Sequence, residues 1–368
     1  MIVYVLLLIF IIVGRVVLTK NKIAISTLNN KVVIKNLGVL SYCIGVGTFL
    51  YLLVALRSIY LGVYDTANTY YISFNIANLR SWSYAVDNFK QMGHIFALIT
   101  KILTIFTGTN YRLYLILVSI PYIYSVCYMV YKYSDEYLLS FMAFISMFYL
   151  YSFYLIRQMI AVSILCISLK YIYEKKLIKF IILVLCASLI HGTAFCFLIA
   201  YPAAHYIKAD GKNYLIVLIS VIIAKITPGI VYFFMSNRLR GYVENGVYDI
   251  NGNISIFPML IYIAILLFAS YSKVNQDYEG KILFNIVTLA AAIYPFANVI
   301  SDIYRLTIYF GIFSILLVSK AIANIKNPKT KLVLYTLIFS LYVLYFFTRS
   351  LINMNAIPYE FFWNAGFI

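Results

Sequence analysis

The sequence predicts an all-α polytopic membrane protein, a single integral membrane domain over residues 1–368. About 12 transmembrane helices (about 11–14) are expected, plus one re-entrant or interfacial helix. Three observations predict this class. Hydrophobic residues make up 64% of the chain and charged residues 11%, with mean hydropathy +0.92. Apolar runs of about 15 to 22 residues, the length a bilayer core asks of a helix, recur to the end. Lysine gathers in the short segments between those runs, the pattern of a cytoplasmic face.

The first run, 1–18, has the look of a signal peptide, but no basic n-region precedes it and a basic segment follows, so 1–19 reads as the first span. Further spans are expected at 37–56, 113–132, 137–153, 158–173, 177–190, 192–207, 213–235, 255–271, 282–300, 303–323 and 332–350. The segment 92–107, "MGHIFALITKILTIFT", is apolar enough to span but carries His94, Thr100, Lys101 and Thr104. If it spanned, the later lysine-rich loops would face away from the lysine-rich loop 20–36. If it re-enters or lies in the interface, all of them share one side, so it reads as non-spanning. Both termini then lie outside. The cytoplasmic loops are 20–36, 133–136, 174–176, 208–212, 272–281 and 324–331. They hold or flank every lysine except Lys90, Lys101 and Lys225.

A net charge of +17 could signal nucleic-acid binding, but that would need basic residues clustered with aromatics on a polar face. The lysines sit between spans instead, so no nucleic-acid partner is expected and the bilayer is the partner surface. The five cysteines lie inside apolar runs without metal-type spacing and read as small buried hydrophobes. Arginine behaves oppositely to lysine. Only Arg15 is near the cytoplasmic face. Arg57, Arg80, Arg112, Arg157, Arg238, Arg240, Arg305 and Arg349 fall outside, against the topogenic rule. Planar, bidentate donors suit phosphate and carboxylate, so these arginines point to a polyanionic ligand at the outer face, with headgroup anchoring as the plainer reading.

Four outer constellations stand out. The loop region 57–112, with its re-entrant helix, opens "LRSIYLGVYDTANTYYISFNIANLRSWSYAVDNFKQMGHIF" from Leu56 and holds Arg57, Asp65, Arg80 and Asp87. Its Tyr, Trp and Phe suit sugar-ring faces, and they equally suit an interfacial aromatic belt. "FYLIRQMIA" places Arg157 and Gln158 at a tight outer turn between two short spans, at a helix start. "CASLIHGTAF" places His191 at a helix break, with a side chain suited to proton transfer near neutral pH. "NVISDIYRLTIYF" spaces Asp302 and Arg305 three apart, so on a helix they share a face and can pair. A second outer loop, 236–254, and the tail "NMNAIPYEFFW" also face outward.

Arg57, Asp65 and Tyr70 in "RSIYLGVYDTANTYY", then "IRQMIAVSIL", "LIHGTAFCFLIAYP", "DIYRLTIYF" and "IPYEFFW", in that order, resemble the EpsG family of Wzy-like polysaccharide repeat-unit polymerases. The resemblance covers the chain from about Arg57 to Trp363. It departs at "KQMGHIF", where the family often has an acid before the glycine and this chain has Gln91; Asp65 or Asp87 would then supply any carboxylate the loop needs. The resemblance implies a GT-C-like glycosyltransferase in the bacterial cytoplasmic (inner) membrane, with its active site on the outer or periplasmic side. Donor and acceptor would be undecaprenyl-diphosphate-linked glycans, and the product O-antigen, capsule or exopolysaccharide. A flippase and a chain-length regulator of the same pathway would be its partners. In that reading Arg157 and Arg305 bind the donor diphosphate, with Arg57 contributing. Gln158 assists beside Arg157, His191 or Asp65 is the general base, Asp302 orients Arg305, and Tyr70 and Tyr304 contact sugar. No DxD pair lies in the first outer loop and no Cys/His/Asp cluster lies outside, so neither metal nor cofactor is expected. Two rivals share many features. A flippase of lipid-linked oligosaccharides would carry polar residues toward both faces. An O-antigen-ligase-like transferase would use the same outer-face chemistry.

Overall fold

A computed structural model describes residues 1–19, 24–28, 31–35, 37–62, 65–84, 93–226, 255–298 and 301–364. Asp87, Gln91, Arg238, Arg240 and the expected loop 236–254 lie outside the described residues.

The helices, in chain order, are α1 (Ile2–Leu18), α2 (Leu37–Leu56), α3 (Tyr71–Leu79), α4 (His94–Thr107), α5 (Tyr111–Tyr133), α6 (Tyr137–Met147), α7 (Ile156–Tyr173), α8 (Leu177–Ile190), α9 (Ala200–Tyr206), α10 (Gly211–Ile226), α11 (Phe257–Tyr271), α12 (Tyr278–Ile293), α13 (Tyr304–Gly311), α14 (Ser314–Ala323) and α15 (Pro328–Tyr345). Among the described residues five helical stretches are long and apolar enough to cross a bilayer: α2, α5, α7, α12 continued to Asn298, and α15 continued to Asn353. The pair α13–α14, bent by 43° at a short break, makes a sixth if it is one span. Shorter apolar helices include α1, α6, α8 and α11. The chain is a polytopic membrane protein.

Several expected spans are built in pieces. The run 137–153 is α6 followed by a 3-10 turn, Tyr149–Phe153. The run 192–207 opens as a 3-10 segment, Gly192–Ile199, before α9. The segment 92–107 is a helix of 14 residues, about 21 Å long, against a hydrocarbon core of about 30 Å.

The architecture is helical, and the connecting segment 20–36 adds one local feature that the sequence reading did not name. It contains an antiparallel hairpin, β1 (Ala24–Leu28) and β2 (Lys31–Lys35), in register from Ala24↔Lys35 to Leu28↔Lys31. The physical reason is in the sequence: β-branched Ile25, Thr27, Val32, Val33 and Ile34 flank Asn29-Asn30, a pair suited to a two-residue turn.

By internal contacts the chain forms two compact units. The first is 1–167 with 185–192 and 332–368; the second is 168–184 with 193–331. In the first unit α2 buries Val39, Tyr42, Val46, Leu50 and Leu53 at helical spacing. Gly47 lets α5 approach closely, since a Cβ there would stand 2.7 Å from Cys127 Sγ. α1 buries only the stripe Tyr4, Leu7, Ile11 and Gly14 and leaves its other faces exposed.

In the second unit α12 is buried nearly all round and packs with α9, α10, α11, α13 and α14. A polar network sits inside it. Asn213 Nδ2 donates to Asn285 Oδ1 (2.9 Å) and to Thr288 Oγ1 (3.0 Å). Asn285 Nδ2 donates to the carbonyls of Ala203 (3.1 Å) and Ile207 (2.9 Å), which satisfies the C-terminal end of α9.

Candidate functional site

In the first unit the site is built around Arg57, the residue after α2. Its side chain is 1% exposed. Nη1 donates to the Val54 carbonyl and Nη2 to the Phe153 carbonyl at 2.6 Å, with the guanidinium 5.2 Å from the Phe153 ring centre. Thr66 Oγ1 donates to the same Phe153 carbonyl (2.6 Å), and the Thr66 carbonyl accepts from Tyr111 Oη (2.8 Å). Burial pulls the guanidinium below its ordinary value, and the surrounding phenols of Tyr111, Tyr359, Tyr149 and Tyr4 oppose that pull. A guanidinium stays charged under such a shift.

The tail closes on the same point. Arg57 pairs with Phe361 in an isolated bridge, Ser58 N–H donates to the Glu360 carbonyl (2.8 Å), and Gly62 N–H to the Asn355 carbonyl (3.1 Å). Arg112 Nη1 donates to the Arg57 carbonyl (3.2 Å) while its guanidinium lies 3.4 Å from the centre of the Phe362 ring. The "RSIYLGVYDTANTYY" loop, the turn before "IRQ" and the "IPYEFFW" tail are therefore tied by hydrogen bonds, although about 300 residues separate the ends.

Arg157 is the second residue of α7 and is partly exposed. Its N–H donates to Tyr70 Oη at 3.3 Å. Tyr70 is buried and meets Phe96 of α4 edge-on, with ring centres 5.9 Å apart. Gln158 is 2% exposed and belongs to the packed side of α7. The first-turn N–H groups of α7 and the Arg157 guanidinium both favour an anion.

His191 follows α8, its N–H bonded to the Ala187 carbonyl (2.9 Å), and its side chain is partly exposed. Gly93, at φ +82°, lies against this turn: a Cβ there would stand 3.9 Å from the Ile190 carbonyl. Ile190, Tyr70, Phe96 and Ile156 share one apolar cluster. The turns that carry Tyr70, Arg157 and His191 are thus set by common packing. Asp65, partly exposed, precedes the π-turn Thr66–Tyr70.

In the second unit the Asp302–Arg305 pair forms as its spacing predicts, Nε to Oδ1 at 3.3 Å, with the Arg305 guanidinium 5.9 Å from the Tyr304 ring centre. The two side chains are 31% and 35% exposed, so the pair is open enough to meet a ligand. Thr193 Oγ1 and Tyr309 Oη are 2.9 Å apart, and Phe197 packs on Phe310 (5.3 Å) and Phe313 (5.5 Å). The "GTAF" half of one motif therefore meets the "TIYF" half of another.

Sequence reasoning missed several of these positions. It expected Arg57 at a ligand, whereas the structure turns its fork to two backbone carbonyls. It left Lys101 as an exception to the lysine pattern. Lys101 Nζ donates to the carbonyls of Ala77 (2.6 Å) and Arg80 (2.8 Å) and lies 5.8 Å from the Trp82 ring centre, so it caps the C-terminal end of α3. Thr66 and Tyr111 carried no signal beyond their place in an aromatic loop. Among the described residues no group of three or more His, Cys, Asp or Glu side chains could hold a metal ion.

No curated protein and no solved structure matches the chain significantly. The model of the EpsG family matches residues 40–361, from within α2 to the tail residue that pairs with Arg57. The chain belongs to the EpsG family, a family linked to exopolysaccharide biosynthesis.

Proposed function

We propose that the chain is a membrane glycosyltransferase that polymerises undecaprenyl-diphosphate-linked repeat units at the outer face of the bacterial cytoplasmic membrane. The topology that goes with this has about 12 spans, both termini outside, a re-entrant α4 and a GT-C-like architecture. The observation that carries the reading is that the "RSIYLGVYDTANTYY" motif holds the Phe153 carbonyl and the Arg157 N–H just before and within "IRQ", while the "IPYEFFW" tail pairs with the backbone of Arg57 and Ser58.

In the reaction an acceptor hydroxyl oxygen attacks the anomeric carbon of the donor glycan. The anomeric C–O bond to the lipid diphosphate breaks, and the diphosphate leaves with the bonding electron pair. The hydroxyl proton passes to His191 or Asp65. Arg157, at the positive end of α7, stabilises the charge that develops on the diphosphate. Arg305, oriented by Asp302, is a further guanidinium of the kind that binds a diphosphate. Arg57, Gln158 and Tyr70 are buried, so their part is to hold the Arg157 turn in place. Tyr304 remains available for sugar contact. No metal is required.

The test is polymer length and lipid-linked intermediates in cells carrying Arg157→Ala, Arg305→Ala or His191→Ala. Loss of long polymer with single repeats accumulating at the outer face supports a polymerase. Accumulation at the inner face supports the flippase reading, and full-length polymer that fails to reach its final acceptor supports the ligase reading. Normal polymer in all three stably expressed variants removes the residue assignment. Arg157→Lys reads whether the bidentate fork matters or charge suffices.

A further inference from the structure

A cleft of about 560 Å³ lies in the second unit where α9 hands over to α10, lined by Tyr206, Ile207, Lys208, Lys212, Leu215, Ile216 and Ile219. Its chemistry is graded along α10. Exposed Tyr206, Lys208 and Lys212 form the polar mouth. Exposed Leu215 and Ile219, four residues apart on one helix face, continue it as an apolar wall. Tyr and Lys at the end of such a wall are the residues that settle at a membrane–water interface.

The acids of this end of the unit cap helices or pair with lysines other than Lys208 and Lys212. The Asp210 carboxylate caps α10 by accepting the Lys212 N–H (2.9 Å). Asp277 caps α12 through Gly280 N–H (3.3 Å). Glu174 pairs with Lys176 (2.6 Å), and Glu279 with Lys320 (2.8 Å). Among the described residues no carboxylate forms an ion pair with Lys208 or Lys212. The walls are set in advance, because Asn285 holds the carbonyls of Ala203 and Ile207 at one side and bonds Asn213 of α10 at the other.

We propose that this cleft binds an anionic membrane phospholipid, its phosphate between Lys208 and Lys212 and one acyl chain along Leu215 and Ile219. A soluble anion would use the lysines but not the apolar wall, and a zwitterionic lipid would use the wall while its own cation opposes the lysines. The site is independent of the glycan chemistry proposed above: it uses none of the same residues and no glycan.

The full-length protein, purified in a neutral detergent, is titrated with dioleoyl phosphatidylglycerol or dioleoyl phosphatidylcholine, and retained lipid is read by native mass spectrometry. Wild type retains phosphatidylglycerol preferentially. Lys208→Gln/Lys212→Gln weakens that retention about 25-fold at low salt, about 5-fold per lysine, and leaves phosphatidylcholine unchanged. Leu215→Ser/Ile219→Ser weakens both lipids. Lys329→Gln, an exposed lysine at the start of α15, changes neither and controls for bulk charge. Equal retention of the two lipids by wild type, or unchanged preference in the double lysine variant, overturns the proposal. Displacement of phosphatidylglycerol by inorganic phosphate at equal concentration overturns the lipid assignment in favour of a simple anion site. Preferential retention of undecaprenyl phosphate over phosphatidylglycerol overturns it in favour of a substrate-lipid site.

Discussion

Arg57→Ala removes a cation that is 1% exposed and bonded to two carbonyls. Two effects compete. Deleting the charge removes a desolvation cost, which favours the variant. Yet the carbonyls stay buried, and the Val54 carbonyl at the end of α2 loses its guanidinium donor. A hydrogen bond to a charged group contributes about 1.5–3 kcal/mol, and an orphaned buried acceptor costs about 1–3 kcal/mol. The Phe153 carbonyl keeps Thr66 Oγ1, so its loss is partial. The balance is a destabilisation of about 2–3 kcal/mol, set mainly by the orphaned Val54 carbonyl with a partial loss at Phe153. Arg57→Lys loses about half of that, because one ammonium on a flexible stem does not reproduce the planar fork. Thr66→Val costs about 1 kcal/mol alone. Because it shares the Phe153 carbonyl with Arg57, the double variant exceeds the sum of the singles by about 1 kcal/mol. The assay is denaturant unfolding of purified protein in dodecyl maltoside, followed by fluorescence, beside polymer length in complemented cells. Wild-type stability in Arg57→Ala with polymer abolished would refute the reasoning, since Arg57 would then act on substrate directly.

Three further outcomes are expected. Lys101→Met uncaps the Ala77 and Arg80 carbonyls and loosens the end of α3 by about 1 kcal/mol, read as faster amide exchange there with α5 unchanged. Asp302→Asn leaves Arg305 without its charged partner and shortens polymer, while Arg305→Ala abolishes it; wild-type polymer in Asp302→Asn would remove the orienting role. Excess EDTA leaves chain elongation unchanged, whereas a metal-assisted transfer would be inhibited and restored by added divalent cation.

Much of the fold is legible in the sequence because a bilayer demands long apolar runs, and those runs sit where the helices are. The break at 154–157 is legible for the same reason, and the structure starts α7 at Ile156. The Asp302–Arg305 pair is legible because helical spacing alone brings the two together. The hairpin was written in "AISTLNNKVVIK" but lay hidden in a loop whose lysines invited a topological reading. Arg57 was legible as an outer arginine and not as a buried one. Its partners are main-chain carbonyls, which carry no sequence signature, and one side of its cage is a tail about 300 residues away. Lys101 misled for a related reason, since a helix C-terminus offers a cation partners that no motif displays.

The central claim is tested most directly by reconstitution. The purified chain is placed in proteoliposomes with one species of undecaprenyl-diphosphate-linked repeat unit, without nucleotide sugar, and the lipid-linked products are separated by length. The account predicts a ladder that grows one repeat at a time, releases lipid diphosphate in equal number, and disappears with Arg157→Ala. Repeat units that cross the bilayer without lengthening would contradict it.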